Sequence, residues 1–133
     1  MVAVCNDGSL LVVGGYDAHV HYLASVERLL PGPEQPFNQA ADVHNGRFCH
    51  GMCALKDGRV FVCGGYGAYC SAELYSPKKN LWTRLPDMPT GRSLPTTCSL
   101  FDKEGKEFVL VFGVRSFEED PHRKPYRLDC ILD

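Results

Sequence analysis

The chain has 133 residues, of which 23% are charged, and its formal net charge is −2. That balance offers no basic excess for nucleic acid or an anionic membrane, and no apolar run nears the roughly 20 residues that a membrane-crossing helix needs. The first residues carry no basic lead, and their apolar stretch is broken by Cys5-Asn6-Asp7-Gly8-Ser9, which argues against a usual signal peptide and sets a cytoplasmic location as the expectation.

In chain order, Met1 to Val4 reads as a first apolar strand, Asn6-Asp7-Gly8 as a turn, and Leu10-Leu11-Val12-Val13 as a second strand closed by Gly14-Gly15-Tyr16. Ser25-Val26-Glu27-Arg28-Leu29-Leu30-Pro31 follows as a third. The same succession then returns. Lys56-Asp57-Gly58 and Val60-Phe61-Val62-Cys63-Gly64-Gly65-Tyr66 stand 50 residues further on, and Ser71 to Pro77 stands 46 residues after Ser25 to Pro31. Asn45-Gly46-Arg47, with Cys53 and Leu55, reappears 45 residues later as Thr90-Gly91-Arg92, with Cys98 and Leu100. A third apolar run, Phe108-Val109-Leu110-Val111-Phe112-Gly113, takes the next double-glycine position but keeps one glycine. Tyr126 to Ile131 reads as an unfinished further strand.

The middle unit is the most regular, with strands predicted over Phe48 to Leu55, Arg59 to Cys63, Ala72 to Tyr75 and Leu81 to Leu85. These are short runs of Val, Phe, Leu, Tyr and Trp between turn residues, and none holds a helical apolar period. Asp57-Gly58 predicts a two-residue primed hairpin turn, in which both residues take positive φ. Gly64-Gly65 marks a crowded position or a positive φ, while Pro77, then Pro86 and Pro89, end the third and fourth strands. A unit this small cannot bury its own apolar face alone. It must stack on its neighbours, and a period of about forty to fifty residues points to propeller blades of four antiparallel strands.

The apolar run into Gly64-Gly65, then Glu73-Leu74-Tyr75 ending at Pro77, then Leu81-Trp82 with Leu85-Pro86 and Met88-Pro89, resembles a Kelch repeat. The resemblance implies a propeller whose blades are four-stranded sheets. It is full over about residues 46 to 91. The first unit has Leu29 in the tyrosine position and Phe37 near the tryptophan position, and the third ends before any tryptophan.

Fewer than three such repeats fit into 133 residues, whereas propellers close with about four to eight blades. The expected fold is therefore all-β, an incomplete Kelch-like β-propeller of about two and three-quarter blades. Its expected parts are residues 1–45, 46–91 and 92–133, the first incomplete at its N-terminal side and the last at its C-terminal side. Neither end reads as a cap, so the uncovered faces are expected to meet the remaining blades of a longer chain or to self-associate.

Chemistry is sparse. Cys5, Cys49, Cys53, Cys63, Cys70, Cys98 and Cys130 form an odd set without paired close spacing, which reads as reduced thiols serving as small apolar residues. Cys49 and Cys53 with His44 lack the spacing and the second pair of a zinc site, and Cys70 has no Lys, Arg or His beside it in sequence to favour a redox thiolate. His19 and His21 share a face of an extended segment without a third ligand in view. No serine sits in a Gly-x-Ser-x-Gly elbow, and Gly64-Gly65-Tyr66-Gly67 lacks the lysine of a phosphate loop. Neither a cofactor nor a metal is expected. The run Glu118-Glu119-Asp120-Pro121-His122-Arg123-Lys124 reads equally as a solvated loop or as a partner-specific insertion.

In Kelch propellers the loops after the double glycines and those ahead of each first strand reach one rim of the channel, where arginines, serines and tyrosines hold a peptide. By that resemblance the binding positions here are Tyr16 and Tyr66 after the double glycines, with Arg47, His50 and Arg92 ahead of the first strands. Tyrosine supplies rigid contact area plus a hydroxyl, and an arginine fork grips carboxylates. The expected function is a protein-interaction module, a scaffold or adaptor without catalysis, with a protein or peptide partner. The alternative is a fragment of a propeller enzyme similar to galactose oxidase or to a sialic-acid epimerase, because fold does not choose between them.

Overall fold

The short β-branched and aromatic runs become strands wherever a glycine turn lets the chain double back. In the computed structural model, which describes residues 1–34, 37–115 and 126–129, they form three antiparallel sheets, and no helix occurs among the described residues. The first sheet has the order β1 (Val2–Val4), β2 (Leu10–Val13), β3 (Val26–Leu29), β4 (Phe37–Ala40). The second repeats it with β5 (Gly51–Ala54), β6 (Val60–Cys63), β7 (Ala72–Ser76) and β8 (Leu81–Leu85). The third joins β9 (Arg92–Phe101) to β10 (Glu107–Arg115) and β10 to β11 (Tyr126–Asp129). Glu118 to Lys124 and Cys130 lie outside the described residues.

The middle sheet is sandwiched between the other two. On one side Val60, Val62, Tyr75 and Trp82 pack against Ala3, Leu11, Val13, Val26 and Ala40 of the first sheet. On the other, Phe61, Cys63 and Ala72 meet Val109 and Val111 of the third. With both faces covered, all four residues of β6 are buried, which is why Val60 to Cys63 is a continuous apolar run rather than an alternating one. Polar bonds stitch the first seam. Trp82 Nε1 donates to the Ala41 carbonyl at 2.7 Å, while the Asn80 Oδ1 accepts from both the Ala41 amide and the Tyr75 hydroxyl.

The hairpin between β5 and β6 corrects the expected two-residue primed turn. Gly58 donates to the Leu55 carbonyl at 3.0 Å and Leu55 donates to the Arg59 carbonyl at 2.8 Å, so five residues make the turn. Of Asp57 and Gly58, only Gly58 has a positive φ, 92°. Asp57 instead turns its carboxylate onto the Arg59 amide. This is a turn closed by a left-handed glycine, the arrangement of a G1 bulge. The same pair of backbone bonds recurs at Cys5 to Ser9 and at Asp102 to Lys106, with Gly8 and Gly105 in the left-handed position. The third copy was hidden in the sequence because Lys103-Glu104-Gly105 is 47 residues from Lys56-Asp57-Gly58, out of step with the other offsets.

The first strand of the middle unit also begins later than expected. Cys49 takes φ 55°, which breaks the extended chain ahead of Gly51, and Phe48 is left in an isolated bridge to Tyr66.

Candidate functional site

Two loops that follow the double glycines, Gly14 to Ser25 and Gly64 to Ser71, meet the segments that lead into β5 and β9. One set of backbone bonds builds both junctions. Gly15 donates to the Arg47 carbonyl and Arg47 to the Leu23 carbonyl; correspondingly, Gly65 donates to the Arg92 carbonyl and Arg92 to the Tyr69 carbonyl, all at 2.8 to 3.1 Å. The approach is too close for a side chain. A Cβ on Gly14 would stand 2.3 Å from the Arg47 carbonyl oxygen, and one on Gly64 2.6 Å from that of Arg92. Both glycines also have φ 63°, so the first glycine of each pair is required on two counts.

Arg47, His50 and Arg92 were expected at the binding rim, and their side chains lie inside instead, with exposures of 0%, 0% and 4%. For the two arginines the reason is the donor-rich guanidinium, which can satisfy several backbone carbonyls of the junction at once. Arg47 donates to the carbonyls of Asn45, Gly64 and Ser71, to the Ser71 hydroxyl at 2.9 Å and to Glu73 at 2.5 Å. The other Glu73 oxygen accepts from the His44 amide at 2.9 Å and contacts its ring nitrogen at 2.5 Å. Burial lowers the Arg47 pKa and the Glu73 carboxylate opposes the shift, so the pair is a fully buried ion pair. Arg92 repeats the strut, reaching the Gly113 carbonyl at 3.0 Å. His50 packs against Gly65, neither ring nitrogen has a hydrogen-bond partner among the described residues, and its pKa is pushed down to about 3, chiefly by burial and then by the positive N-terminus and Arg47.

What the junctions present outward is aromatic. Phe48 lies at the centre, stacked on Tyr66 with ring centroids 4.8 Å apart, and tilted against Tyr16 at 4.9 Å and Tyr22 at 5.3 Å. Tyr69 extends the row by an edge contact with Tyr66. Tyr16 is 60% exposed and Tyr22 45%, while Phe48, Tyr66 and Tyr69 are half-buried. Tyr16 and Tyr66, the two tyrosines read from the sequence, are thus in one cluster that spans the first two sheets. Tyr22, Phe48 and Tyr69 were missed. The signal for Tyr22 and Tyr69 was present as a second aromatic in each loop, six residues after Tyr16 and three after Tyr66.

The remaining candidates stay apart. His19 and His21 lie in an exposed loop, where His21 Nδ1 meets Asp17 at 3.0 Å. The described cysteines are free thiols, and burial raises the Cys63 pKa to about 12, which makes that thiol an inert apolar group.

Stacked four-stranded antiparallel sheets joined by repeating seams define part of a β-propeller. Residues 46–89, which carry the middle sheet, match the Kelch motif. The chain is also 30% identical over 110 residues to galactose oxidase of Gibberella zeae, an alignment that takes in 78% of this chain and 14% of that enzyme. Among solved structures it is similar to a fungal alcohol oxidase in complex with copper, with a TM-score of 0.59 and 16% identity over 80% of this chain and 25% of the other. That likeness is one of fold. The chain spans about one seventh of the length of the curated relatives it matches.

Proposed function

We propose that this propeller segment binds a protein or peptide through the aromatic surface of its double-glycine loops, and that it performs no chemistry of its own. One observation carries this reading. Five rings from two repeats form one continuous, partly exposed cluster, held by backbone bonds and a buried Arg47–Glu73 strut that do not depend on the rings themselves. Such surfaces gain contact area with little conformational entropy to lose, and tyrosine hydroxyls add direction at their edges.

The test is a peptide library panned against the chain. Tyr66→Ala should weaken the selected peptides by about tenfold, as expected for an anchor in an aromatic contact, while leaving the thermal unfolding temperature nearly unchanged. Peptides that bind wild type and the Tyr16→Ala/Tyr66→Ala double variant equally well would sink the assignment.

The identity to galactose oxidase favours a second reading, in which these blades belong to an oxidase. Among the described residues no three His, Cys, Asp or Glu side chains come together as a candidate metal site. Oxygen uptake with galactose or a primary alcohol, measured on the copper-supplied protein, separates the two. Turnover would overturn the proposal of a purely binding role.

A further inference from the structure

The hairpin turns that join β1 to β2, β5 to β6 and β9 to β10 lie at the end of the sheets opposite the double glycines. A cleft of about 420 Å³ opens there, lined among others by Asn6 of the first unit, Ala54 and Lys56 of the second, and Ser99, Phe101 and Glu107 of the third. Glu107 is the buried member, 2% exposed. Its Oε1 accepts from the Lys56 amide at 2.9 Å and from the Ser99 hydroxyl, which draws the carboxylate toward β9 and away from β11. Its Oε2 is also buried and has no hydrogen-bond partner among the described residues. Asn6 Nδ2 donates to the carbonyls of Leu55 and Lys56, so the first unit pins the same stretch of backbone. Phe101 pairs directly across from Glu107, which puts both side chains on one face, and Phe101 is 50% exposed. The Lys56 ammonium lies 5.6 Å from the centre of that ring, and no carboxylate is within ion-pair distance of it among the described residues.

We propose that this cleft binds a small zwitterion of the α-amino-acid class, with its ammonium on Glu107 Oε2, its carboxylate on the Lys56 ammonium and its side chain over Phe101. A buried carboxylate oxygen without a donor is costly, and a charged donor compensates it better than a neutral one. A cation alone would be repelled by Lys56 and an anion alone by Glu107, so a ligand that carries both charges is the complementary one. The apolar wall of Ala54 and the Phe101 ring selects an apolar side chain between those charges. The acceptor is preformed, because the bonds to the Lys56 amide and to Ser99 occupy only the other oxygen, and the Lys56 backbone is tied down from two sides. Only the exposed Lys56 side chain has to settle on the ligand. The site is at the far end of the sheets from the aromatic loops and is independent of what those loops bind.

Calorimetric titration of the 133-residue chain with L-phenylalanine at neutral pH should show saturable binding at one site per chain. N-acetyl-L-phenylalanine, which lacks the ammonium, and L-phenylalanine amide, which lacks the carboxylate, should each bind about tenfold more weakly or worse. Lys56→Met keeps the stem and the backbone amide at an exposed position, so the variant should fold as wild type does. It should weaken L-phenylalanine about tenfold and leave the affinity for the amide unchanged. Glu107→Gln should weaken both amine-bearing ligands; Lys56→Met carries the test if the loss of a buried carboxylate unfolds that variant. Tyr16→Ala/Tyr66→Ala should bind L-phenylalanine as wild type does, which separates this cleft from the aromatic loops. The assignment is overturned by the absence of saturable binding, by blocked forms that bind as tightly as L-phenylalanine, by unchanged affinity in Lys56→Met, or by loss of binding in the tyrosine variant.

Discussion

At the level of single residues, His50 is the sharpest case of chemistry subordinated to structure. Its imidazole is kept neutral in the fold, with a pKa of about 3 against an ordinary 6.5. As pH falls below 6.5 the unfolded chain takes up a proton that the folded chain refuses until about pH 3, so stability present at neutral pH is lost across that window. Each pH unit within it is worth at most about 1.4 kcal/mol. The hydrogen-bonded carboxylates of Asp7 and Asp102, whose pKa values are lowered from 3.8, weaken the fold only below that value, so they do not blur a comparison between pH 7 and pH 5. The urea midpoint of the wild type should therefore fall between pH 7 and pH 5, and that of His50→Gln should fall less. Parallel pH profiles would mean that His50 is solvated in solution. His50 also marks where the sequence stops being legible: a histidine ahead of a first strand is compatible with a rim or an interior, and only its packing against Gly65 in the fold places it inside.

At the level of the element, the seam between the first two sheets rests on β8. Trp82 contributes a buried indole against Tyr75, with ring centroids 4.9 Å apart, and a hydrogen bond to the Ala41 carbonyl. Trp82→Ala should cost about 3 to 5 kcal/mol, the range for removing a large buried aromatic. Trp82→Phe keeps most of the packing and leaves the carbonyl unpaired, so about 1 to 3 kcal/mol is expected from chemical denaturation. Equal losses for the two variants would show that the hydrogen bond, not the packing, holds the seam. This element was readable because a tryptophan at a fixed distance from Gly64-Gly65 and Tyr75 has one role in a repeat. The turns were less so. Asp57-Gly58 satisfies the composition of a primed two-residue turn and of the five-residue turn actually formed, and only the Leu55 to Arg59 pairing separates them. The arginines were read in the right repeat and on the wrong side, because recurrence at Arg47 and Arg92 fits a contact and a strut equally. Glu73, 26 residues from Arg47, is the partner that makes it a strut.

At the level of the whole molecule, stability in stacked repeats comes from each unit and from the seams with its nearest neighbours, so the sheets of this chain are not equivalent. The second sheet has two seams, whereas the faces of the first and the third that are turned away from it have none among the described residues. Amides open in proportion to the burial and pairing they lose, which makes hydrogen exchange the direct readout. In β6 every residue is buried and both neighbouring strands are paired, while β4 carries three exposed residues and lies at the end of its sheet. Val60 to Cys63 should exchange slowest, and the amides of β1 and β4 should exchange near the rate of local fraying. Uniform protection across all three sheets would contradict the nearest-neighbour account, since a single cooperative unit has no weak end.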